Sequence, residues 1–551
     1  GVVGETPNLA ARLQEMASAN AVLIAESTRR LVGDLFDYRD LGAIALKGLT
    51  EKVVAFEVIG ESMIESRFEA LRSAMMSPLI GRDEEVQLLM RRWTQAKRGE
   101  GQIVLVSGEA GIGKSRIAVA LQERLQVERP IRLRYFCSPN RRDSVLFPII
   151  AQLERAAGFT RDDTPSEKCD KLAALLSQPG NGISDLEAAF VDLLALPASD
   201  RYPPLPSDPR ERRERIFSAL VRQLEDLSRQ RPVLLLFEDA HWSDSTSLDL
   251  LDRFAERIRK LRVLMIVTFR PEFEPVWAGQ AQVTSVMLNR LSQRETLALA
   301  GSVAGGKSLP DEILDRIIEH TDGIPLCIEE LTRALLESDF LREESRQFIL
   351  SGPMPSLAVP SSLHDSLMAR LDRLGPVKEV TQVGAAIGRE FTFDILKSVT
   401  SRPDDRLRAE LDQLIEAGLI FSRGGPQQTS FAFKHALVQD AAYGTLLRSR
   451  RQELHAKIAN ALEELVSLHP SQNKAVGERS ALLAHHWLRA EEWERALKYT
   501  LEAAERARTL FARPEAINHY WQALALLARL PVTSERSHIH CDVLMSMVLL
   551  P

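Results

Sequence analysis

One stretch of the sequence has the residue types and the spacing that bind phosphate. Gly108 to Ser115 read GEAGIGKS, which fits the pattern G-x-x-x-x-G-K-S. Glycines in this pattern let backbone N–H groups turn inward around β- and γ-phosphates, and the positive end of the following helix adds to the attraction. Lys114 is then expected to reach the phosphates, and the Ser115 hydroxyl is placed for Mg²⁺. The predicted phosphate-binding residues are Gly108, Gly111, Gly113, Lys114 and Ser115.

A pair of carboxylates could complete such a site. The segment VLLLFEDAHW places Glu238 and Asp239 at the end of an apolar run. One carboxylate would hold Mg²⁺ and the other would polarise the attacking water, and we assign the metal to Glu238 together with Ser115. Without the phosphate loop, an acidic pair at this position would more simply form a turn. Arg270 ends the next apolar run, VLMIVTF, and is either a sensor of the γ-phosphate or a solvated charge.

The elements that must position these residues follow from the apolar runs. Short strands are predicted at 102–108, 131–137, 233–239, 263–269 and 284–289, with helices between them. Buried strands that alternate with helices indicate a parallel α/β sheet. After about residue 290 the strands largely stop, apart from two short ones around a Gly-Gly-Pro turn in 419–435. A helix followed by such a hairpin predicts a winged-helix module, and beyond 450 the pattern is helical throughout.

Bulk composition is that of an ordinary globular protein. The 551 residues are 45% hydrophobic and 26% charged, and the formal net charge of −6 argues against wholesale nucleic-acid binding. The four cysteines show no metal or redox spacing, which fits a reducing cytosol. The longest apolar runs fall far short of the roughly 18 residues of a membrane span. We therefore expect a cytoplasmic protein without a membrane segment, and we interpret a chain that lacks a start Met as a fragment.

Several motifs together resemble the AAA-like signal-transduction ATPases with numerous domains, the STAND family. They are LIGRDEE, GEAGIGKS, LLFEDAHWSDSTSLDLL, VTFRPEF, TDGIPLCIEEL and FKHALVQDAAYGTLL, and they span roughly residues 78 to 450. The resemblance implies ATP or ADP as the ligand, with Mg²⁺. It implies that Pro325, in a Gly-x-Pro motif, packs by the adenine. It also implies that His435 of the winged helix contacts the ADP phosphate, although a locally satisfied histidine at a helix start is the simpler alternative.

Two details qualify what the STAND resemblance implies. The order Glu238 then Asp239 is the reverse of the usual order in hydrolysing relatives, which predicts slow turnover. The helix before the hairpin carries Glu410, Asp412 and Glu416 against a single Arg408, the wrong sign for a phosphate backbone. A winged helix here therefore does not predict DNA binding.

Residues 1–60 resemble the C-terminal part of a class III nucleotidyl cyclase domain, on the segments GETPNLAARLQ, LIAESTRRL and DLGAIALKGLTEKVVAFEVI. The resemblance implies that Asn8 orients the substrate ribose, that Arg12 stabilises the pentavalent phosphorus, and that Lys47 lies near the triphosphate. From spacing alone, Asn8 and Arg12 share one face of a helix and would be a surface pair. The family's metal-binding aspartates would lie upstream of Gly1, the family implies a homodimer, and the substrate, ATP or GTP, stays open.

The last hundred residues place small and aromatic side chains at helix-packing intervals. This pattern suits helix-turn-helix repeats of the tetratricopeptide kind, which bind peptides or proteins, and an ordinary helical bundle is the alternative. The positions that carry the pattern are Trp493, Ala496, Tyr499, Ala503, Ala507, Ala516, Tyr520 and Ala523.

These observations predict an α/β plus α chain with six parts. The parts are a partial α+β cyclase domain (1–60), a linker (61–77), a P-loop ATPase domain with a parallel sheet (78–290), a helical lid (291–355), a winged-helix domain (356–450) and tetratricopeptide-like repeats (451–551). The function predicted is a cytosolic signalling protein whose cyclase output is regulated by a slow ATPase and a helical sensor. One alternative is a transcriptional regulator with its DNA-binding domain outside this chain. Another is a scaffold with a degenerate ATPase that only binds nucleotide.

Overall fold

The computed structural model describes most of the chain. The described residues are 5–17, 21–26, 28, 36–44, 53–61, 79–160, 163–176, 184–197, 202, 205–338, 341–344, 347–350, 363–423, 430–434, 436–467 and 476–550. Within these ranges, no helix combines the length and the apolar character that crossing a membrane requires.

The N-terminal segment forms a helix on a small antiparallel sheet. Its elements are helix α1 (Glu5–Met16) and strands β1 (Val22–Ala25), β2 (Phe36–Ile44) and β3 (Val53–Glu61), in the sheet order β1-β3-β2. Leu13 of the helix is buried with Ala25 and Ala55 of the sheet. The sequence predicted the helix and two of the strands but not β2, whose pairing with β3 is interrupted by two register shifts. An interrupted strand lacks the regular alternation from which a strand is predicted.

A five-stranded parallel sheet forms the centre of the next part of the chain. Its strands are β4 (Gln102–Ser107), β5 (Ile131–Phe136), β6 (Val233–Glu238), β7 (Val263–Phe269) and β8 (Val283–Met287), in the order β5-β6-β7-β4-β8. All four pairings are parallel. The helices of this domain are α2 (Asp83–Lys97), α3 (Lys114–Arg124), α4 (Phe147–Ala156), α5 (Pro165–Leu176), α6 (Ser184–Leu193), α7 (Pro209–Gln230) and α8 (Ser245–Ile258). The predicted parallel α/β sheet is confirmed.

Helices cover both faces of this sheet, which explains why the strands are apolar throughout. Leu234 and Leu236 of β6 lie in the core beneath α2 and α3. Val233, Leu235 and Phe237 of the same strand lie in the core on the opposite face, with residues of α4, α7 and α8. Successive side chains of a strand point to opposite faces. Because helices cover both faces, all these side chains are buried, which favours apolar residues at every position. Glu238, the last residue of β6, therefore places a carboxylate next to an apolar core.

Three helices and a hairpin module follow the sheet. The three helices are α9 (Gln293–Val303), α10 (Asp311–Thr321) and α11 (Pro325–Leu336), followed by the short strands β9 (Leu341–Glu343) and β10 (Phe348–Leu350). The hairpin module contains α12 (Leu363–Arg373), α13 (Val377–Ile387), β11 (Glu390–Thr392), α14 (Phe393–Thr400), α15 (Asp404–Glu416), β12 (Ile420–Arg423), β13 (Ser430–Phe433) and α16 (Ala436–Gly444).

The hairpin predicted around residues 419–435 is present as β12 and β13. A third strand, β11, pairs with β13 on its other side, so the sheet order is β11-β13-β12 and both pairings are antiparallel. Phe391 of β11 stacks on Phe431 of β13 with ring centroids 5.7 Å apart. Such cross-strand aromatic pairs stabilise short strands, and a three-residue strand is too short to predict from alternation.

The C-terminal part is helical, as predicted. It consists of α17 (Arg448–Ser467), α18 (Val476–Arg489), α19 (Trp493–Thr509), α20 (Arg513–Leu527) and α21 (Ser534–Val548), each packed against the next. All the predicted packing positions except Trp493 and Ala503 are buried in one continuous core, with Trp493 partly buried at its margin. Ala503 is buried as well, outside this core. Alanines at these positions let the helix axes approach closely, and the aromatic rings fill the remaining space.

A buried carboxylate joins the helical tail to the domain that contains the parallel sheet. Glu515 of α20 accepts hydrogen bonds from the Thr246 N–H (2.9 Å) and the Thr246 hydroxyl (3.1 Å) at the start of α8. Beside it, Asp244 caps the same helix and accepts bonds from the N–H groups of Ser247 (2.9 Å) and Leu146 (3.1 Å). Two carboxyl groups thus share one helix N-terminus, where the helix dipole favours negative charge.

That shared position has an electrostatic cost. Complete burial raises the pKa of Asp244 to about 7, with the Glu515 charge adding to the increase and the hydrogen bonds opposing it. An acid whose pKa is raised in the folded state stabilises most at low pH, because the unfolded chain ionises first. This contribution is complete below the ordinary aspartate pKa of about 4 and is lost as the pH rises through 7.

We expect Asp244→Asn to remove this pH dependence. The free energy of unfolding of the native chain, relative to that of the variant, should fall by about 2–3 kcal/mol between roughly pH 5 and pH 8. Urea unfolding at a series of pH values measures this difference. Asp249→Asn, at an exposed position of the same helix, is the matched control. Its free energy of unfolding should vary with pH as that of the native chain does. If the free energies of unfolding of the native chain and of Asp244→Asn changed equally with pH, the raised pKa assigned to Asp244 would be wrong.

Candidate nucleotide-binding site

The phosphate loop lies between β4 and α3, as the sequence predicted. Gly111 and Gly113 have φ angles of 79° and 102°, in the left-handed region that favours glycine. Gly113 is the N-cap of α3, so the N–H groups of the first helical turn point toward the loop. The strand, the glycine turn and the helix N-terminus together form a cradle for an anion.

Lys114 is buried at the base of this loop. Its Nζ donates hydrogen bonds to the carbonyl oxygens of Gly108 (2.7 Å) and Glu109 (2.8 Å). Burial lowers the pKa of Lys114 to about 8, and the nearby charge of Asp239 partly offsets the effect. A lysine that is costly to charge in isolation gains the most from an added anion, which is the property required of a phosphate ligand.

Several predicted residues converge on one cavity above the loop. The predicted residues that line it are Gly111, Gly113, Lys114, Ser115, Asp239, Arg270 and Pro325. They come from the loop, from the ends of β6 and β7, and from the first turn of α11. In parallel sheets, ligands bind at the carboxyl ends of the strands, and this cavity lies there. We refer to it below as the nucleotide cavity.

The first turn of α11 closes over the phosphate loop because two glycines allow it. The Leu326 N–H donates to the Gly111 carbonyl (3.2 Å), and a Cβ on Gly111 would lie 3.0 Å from the Leu326 Cβ. Gly323 has a φ of 70°, and a Cβ there would lie 2.3 Å from the Leu291 carbonyl oxygen. The Gly-x-Pro motif therefore places Pro325 over the cavity through backbone geometry that a larger residue at 323 would prevent.

The two predicted carboxylates have different environments. Glu238 is 1% exposed, and its Oε1 accepts a 2.5 Å hydrogen bond from Nε of Arg134 on the neighbouring strand. It does not line the nucleotide cavity, so the prediction that Glu238 holds Mg²⁺ is not supported by its position. The physical reason is the strand register, which puts Glu238 and Arg134 on the same face of the sheet. Asp239, one residue later, has a left-handed backbone (φ 60°) that turns its side chain into the cavity.

Asp239 is paired with an arginine that the sequence did not identify. Nη1 of Arg389, between α13 and β11, donates to Oδ2 of Asp239 at 2.7 Å. Arg389 comes from the hairpin module, 150 residues further along the chain, and it also lines the nucleotide cavity. A single arginine in IGREF belongs to no spacing pattern, so only the tertiary structure reveals its role. The hairpin module thus contributes a charge directly to the nucleotide cavity.

The rest of the charged lining is mostly cationic, with Glu329 as the other acidic residue besides Asp239 among the described lining residues. The Arg270 guanidinium lies 5.1 Å from the centre of the Trp242 ring, which orients it by a cation–π contact. Arg82 also lines the cavity, and it donates to the Asn289 carbonyl and to Glu85. Burial lowers the pKa of His241 to about 4, so this ring is neutral at physiological pH. The site therefore concentrates positive charge near the loop, as a polyphosphate requires.

The donors present fit Mg²⁺ held jointly with a nucleotide. The Ser115 hydroxyl and the Asp239 carboxylate line the same cavity, and oxygen donors are what Mg²⁺ prefers. The described residues contain no cluster of three or more His, Cys, Asp or Glu side chains that could hold a metal alone. Mg²⁺ usually takes one or two protein ligands and completes its shell with phosphate oxygens and water, which this donor set allows.

The other predicted site residues lie elsewhere. Asn8 and Arg12 both belong to α1, and the Arg12 side chain is partly buried. Lys47 and His435 lie outside the described residues. The structure therefore keeps the Asn8 and Arg12 pair on one helix, far along the chain from the nucleotide cavity, and their roles stay predictions.

Comparison with known proteins supports the assignment of the central domain. Residues 78–267 match the AAA ATPase domain family. An uncharacterized protein of Rhizobium meliloti (strain 1021) is 30% identical over 538 residues, which is 96% of this chain and 50% of the relative. The chain thus spans about half the length of the curated relative that it matches. The family match begins after residues 1–60 and does not bear on the cyclase resemblance.

Two solved structures share partial likeness. One is a STAND protein with a tetratricopeptide repeat sensor from Pyrococcus horikoshii, at 15% identity and a TM-score of 0.41, covering 82% of this chain and 66% of that one. The other is the Aeropyrum pernix ORC1 protein in complex with DNA, at 14% identity and a TM-score of 0.34, covering 69% of this chain and 97% of that one. Scores this low do not establish a shared overall arrangement.

We expect the two neighbouring carboxylates to respond differently to neutralisation. ATP should stabilise the native chain more with Mg²⁺ than with a chelator, and Asp239→Asn should reduce this difference. The reason is that, of the two carboxylates, only Asp239 lines the cavity. Glu238→Gln should lower the unfolding temperature in all conditions and leave the Mg²⁺ dependence unchanged, because Arg134 loses its buried partner. Lys114→Ala should reduce the nucleotide-induced shift itself, which at a hundredfold excess over Kd corresponds to about 2.7 kcal/mol. A loss of Mg²⁺ dependence in Glu238→Gln would restore Glu238 as the metal ligand.

Proposed function

We propose that the chain is an ATP-switched regulatory module in which the hairpin module blocks the nucleotide site in the closed state. The observation that carries this proposal is the 2.7 Å contact between Arg389 and Asp239. A carboxylate that must hold Mg²⁺ or polarise water cannot do so fully while an arginine neutralises it. Hydrolysis is then slow until Arg389 is withdrawn, in agreement with the slow turnover predicted from the order of the acidic pair.

Further contacts support a closed state. Phe421, Lys434 and Leu437 of the hairpin module line the nucleotide cavity together with the phosphate loop. Arg370 of α12 forms a buried ion pair with Glu330 of α11 and also donates to the Ala417 carbonyl (2.7 Å). The hairpin module is therefore fastened to the helices that follow the sheet as well as to the nucleotide cavity. Release of the module would expose the nucleotide and break these contacts together.

The order of elements in the hairpin module favours a winged helix. From α13 to β13 the order is helix, strand, helix, helix, strand, strand, with the three strands in one antiparallel sheet. We include in the proposal that His435, two residues after the end of β13, contacts an ADP phosphate and stabilises the closed state. Within α15, Glu410 pairs with Arg402 and Arg406, whereas Asp412 and Glu416 are exposed and keep this surface acidic. A regulatory rather than a DNA-binding role suits this module.

We expect Arg389→Ala to increase the steady-state rate of ATP hydrolysis. A charge-assisted contact is worth roughly 1.5–3 kcal/mol, so its loss should raise the population of the open state by about tenfold or more. The hydrolysis rate at saturating ATP measures the effect. Arg406→Ala, an exposed position of the same module, should leave the rate unchanged, and Lys114→Ala should show no hydrolysis.

The sign of the Arg389 result distinguishes two roles. An arginine that stabilises the transition state would produce the opposite outcome, a decrease of about 10³-fold or more when removed. Such a decrease, or an unchanged rate, would contradict the blocking role.

We also propose that the switch controls a cyclase to which residues 1–60 belong. The support is the resemblance of this segment together with its helix and antiparallel sheet, in which Asn8 and Arg12 share α1. The planar guanidinium of Arg12 suits a phosphate in the transition state, and the Asn8 amide can orient a hydroxyl without added charge. ATP or GTP is the substrate of this proposal, and the helical tail is the proposed site for a peptide or protein partner.

We expect Arg12→Ala to abolish most cyclase activity in a longer protein that contains the residues upstream of Gly1. The loss of one preorganised donor to the transition state typically costs about 10²–10³-fold in kcat. Cyclic nucleotide formation from ATP and from GTP measures the effect. The chain of residues 1–551 alone should form no cyclic nucleotide, because the resemblance covers only the C-terminal part of the family's catalytic domain. Activity in that chain, or full activity of Arg12→Ala in the longer protein, would contradict the proposal.

A further inference from the structure

A second and larger cavity lies where three parts of the chain meet. It is bounded by the end of β5 with α4 and α5, by β11 and α14 of the hairpin module, and by α17 and α18 of the helical tail. Its volume is about 760 Å³, within the roughly 300–1,000 Å³ of small-molecule sites. We call it the junction cavity. The proposed nucleotide switch does not depend on this cavity.

The lining of the junction cavity is strongly cationic. Among the described residues that line it, eight are Lys or Arg and four are Asp or Glu. The protein as a whole carries a net charge of −6, so this surplus of positive charge is local. Within low-dielectric walls, such a surplus attracts anions much more strongly than the same charges on an open surface would.

Several of these cations lie on aromatic rings. The Arg141 guanidinium lies 4.7 Å from the centre of the Phe147 ring, and that of Arg408 lies 4.4 Å from the Phe393 ring. The Lys168 ammonium is 5.7 Å from the Phe159 ring. A guanidinium that stacks on a ring keeps its N–H groups in its own plane, where they can still donate to an anion. The cavity therefore offers ring faces and hydrogen-bond donors side by side.

One buried carboxylate faces several of the cations. Glu154 of α4 lines the cavity, and burial raises its pKa while the charges of Lys168 and Arg479 act in the opposite direction. Arg141 and Arg155 also lie within electrostatic range of Glu154. Glu154 is costly to ionise, and the lining as a whole presents more positive than negative charge to the cavity. An added anion would be attracted to this surplus.

We propose that the junction cavity binds a small organic anion with an aromatic or heteroaromatic body, such as an aromatic phosphate or carboxylate. The anionic group is bound by the cations around Glu154, and the planar body packs among the phenylalanine rings. The cavity joins the sheet domain, the hairpin module and the tail, so its ligand acts as an effector of how the three parts dock.

The junction cavity communicates with the nucleotide cavity through shared residues. Arg389, Phe421 and Lys434 line both cavities. A ligand that fills the junction cavity would contact the wall that these residues form, so the effector should change nucleotide affinity, by about fivefold or more where coupling is typical. This coupling rests on the proposed function, whereas binding of the anion does not.

Titration with anilinonaphthalene sulfonate, a fluorescent aromatic anion, tests the inference on the full chain. We expect one saturable site, weakened by about tenfold or more when Lys168 and Arg479 are both replaced by Gln, because two charged contacts are lost. Glu154→Gln should tighten binding, since it removes the competing carboxylate. Lys260→Gln, at an exposed position of the sheet domain, should bind like the native chain, and so should Lys114→Ala.

The outcomes separate this inference from the proposed switch. Unchanged probe binding in the Lys168 and Arg479 variant would overturn the anion site if the variant unfolds at the native temperature. If that variant fails to fold, unchanged or weaker binding by Glu154→Gln would do so. If Lys114→Ala no longer binds the probe, the probe binds at the phosphate loop. That result would also overturn the inference and would leave the proposed switch unaffected. A failure of Lys114→Ala to weaken ATP binding would overturn only the proposed switch.

Discussion

The contact between Asp239 and Arg389 joins the hairpin module to the nucleotide cavity, and the proposed switch depends on it. Asp239 ends β6 in a left-handed conformation beside the phosphate loop, and Arg389 reaches it from the hairpin module. A buried or partly buried carboxylate is costly without a compensating partner, and here Arg389 supplies the positive charge; in the proposed switch, a metal with its nucleotide takes its place. One electrostatic requirement thus links the chemical state of the site to the position of a whole module.

Other buried carboxylates in the chain are held either by an arginine or by hydrogen-bond donors at a helix start. Glu238 is satisfied by Arg134 within the sheet, Glu330 by Arg370 between modules, and Glu515 by the start of helix α8. The pair inside the sheet is local to one domain, while the other two join parts of the chain. Contacts of the second kind are expensive to break singly and are released together when a module moves away. Cooperative opening is therefore expected of this architecture.

The sequence predicted the phosphate loop, the five parallel strands and the helical tail because each has a local signature. Strongly apolar strands, a glycine-rich turn before a helix and alanines at helical spacing are properties of neighbouring residues. Strands β2 and β11 were missed because one is irregular and the other has three residues. The separate environments of Glu238 and Asp239, and the role of Arg389, depend on strand register and on a contact across 150 residues. No local pattern contains that information.

The contact between Thr246 and Glu515 spans 269 residues of sequence, which has a consequence for synthesis of the chain. A ribosome adds roughly 5–20 residues per second, so the sheet domain emerges about 15–50 seconds before its partner in the tail. The phosphate loop is made first, the hairpin module follows within that interval, and α20 is made last. A nascent chain can therefore load its first nucleotide without opening anything. In the proposed switch, closure then occurs around a site that is already filled, and later exchange requires the domains to separate.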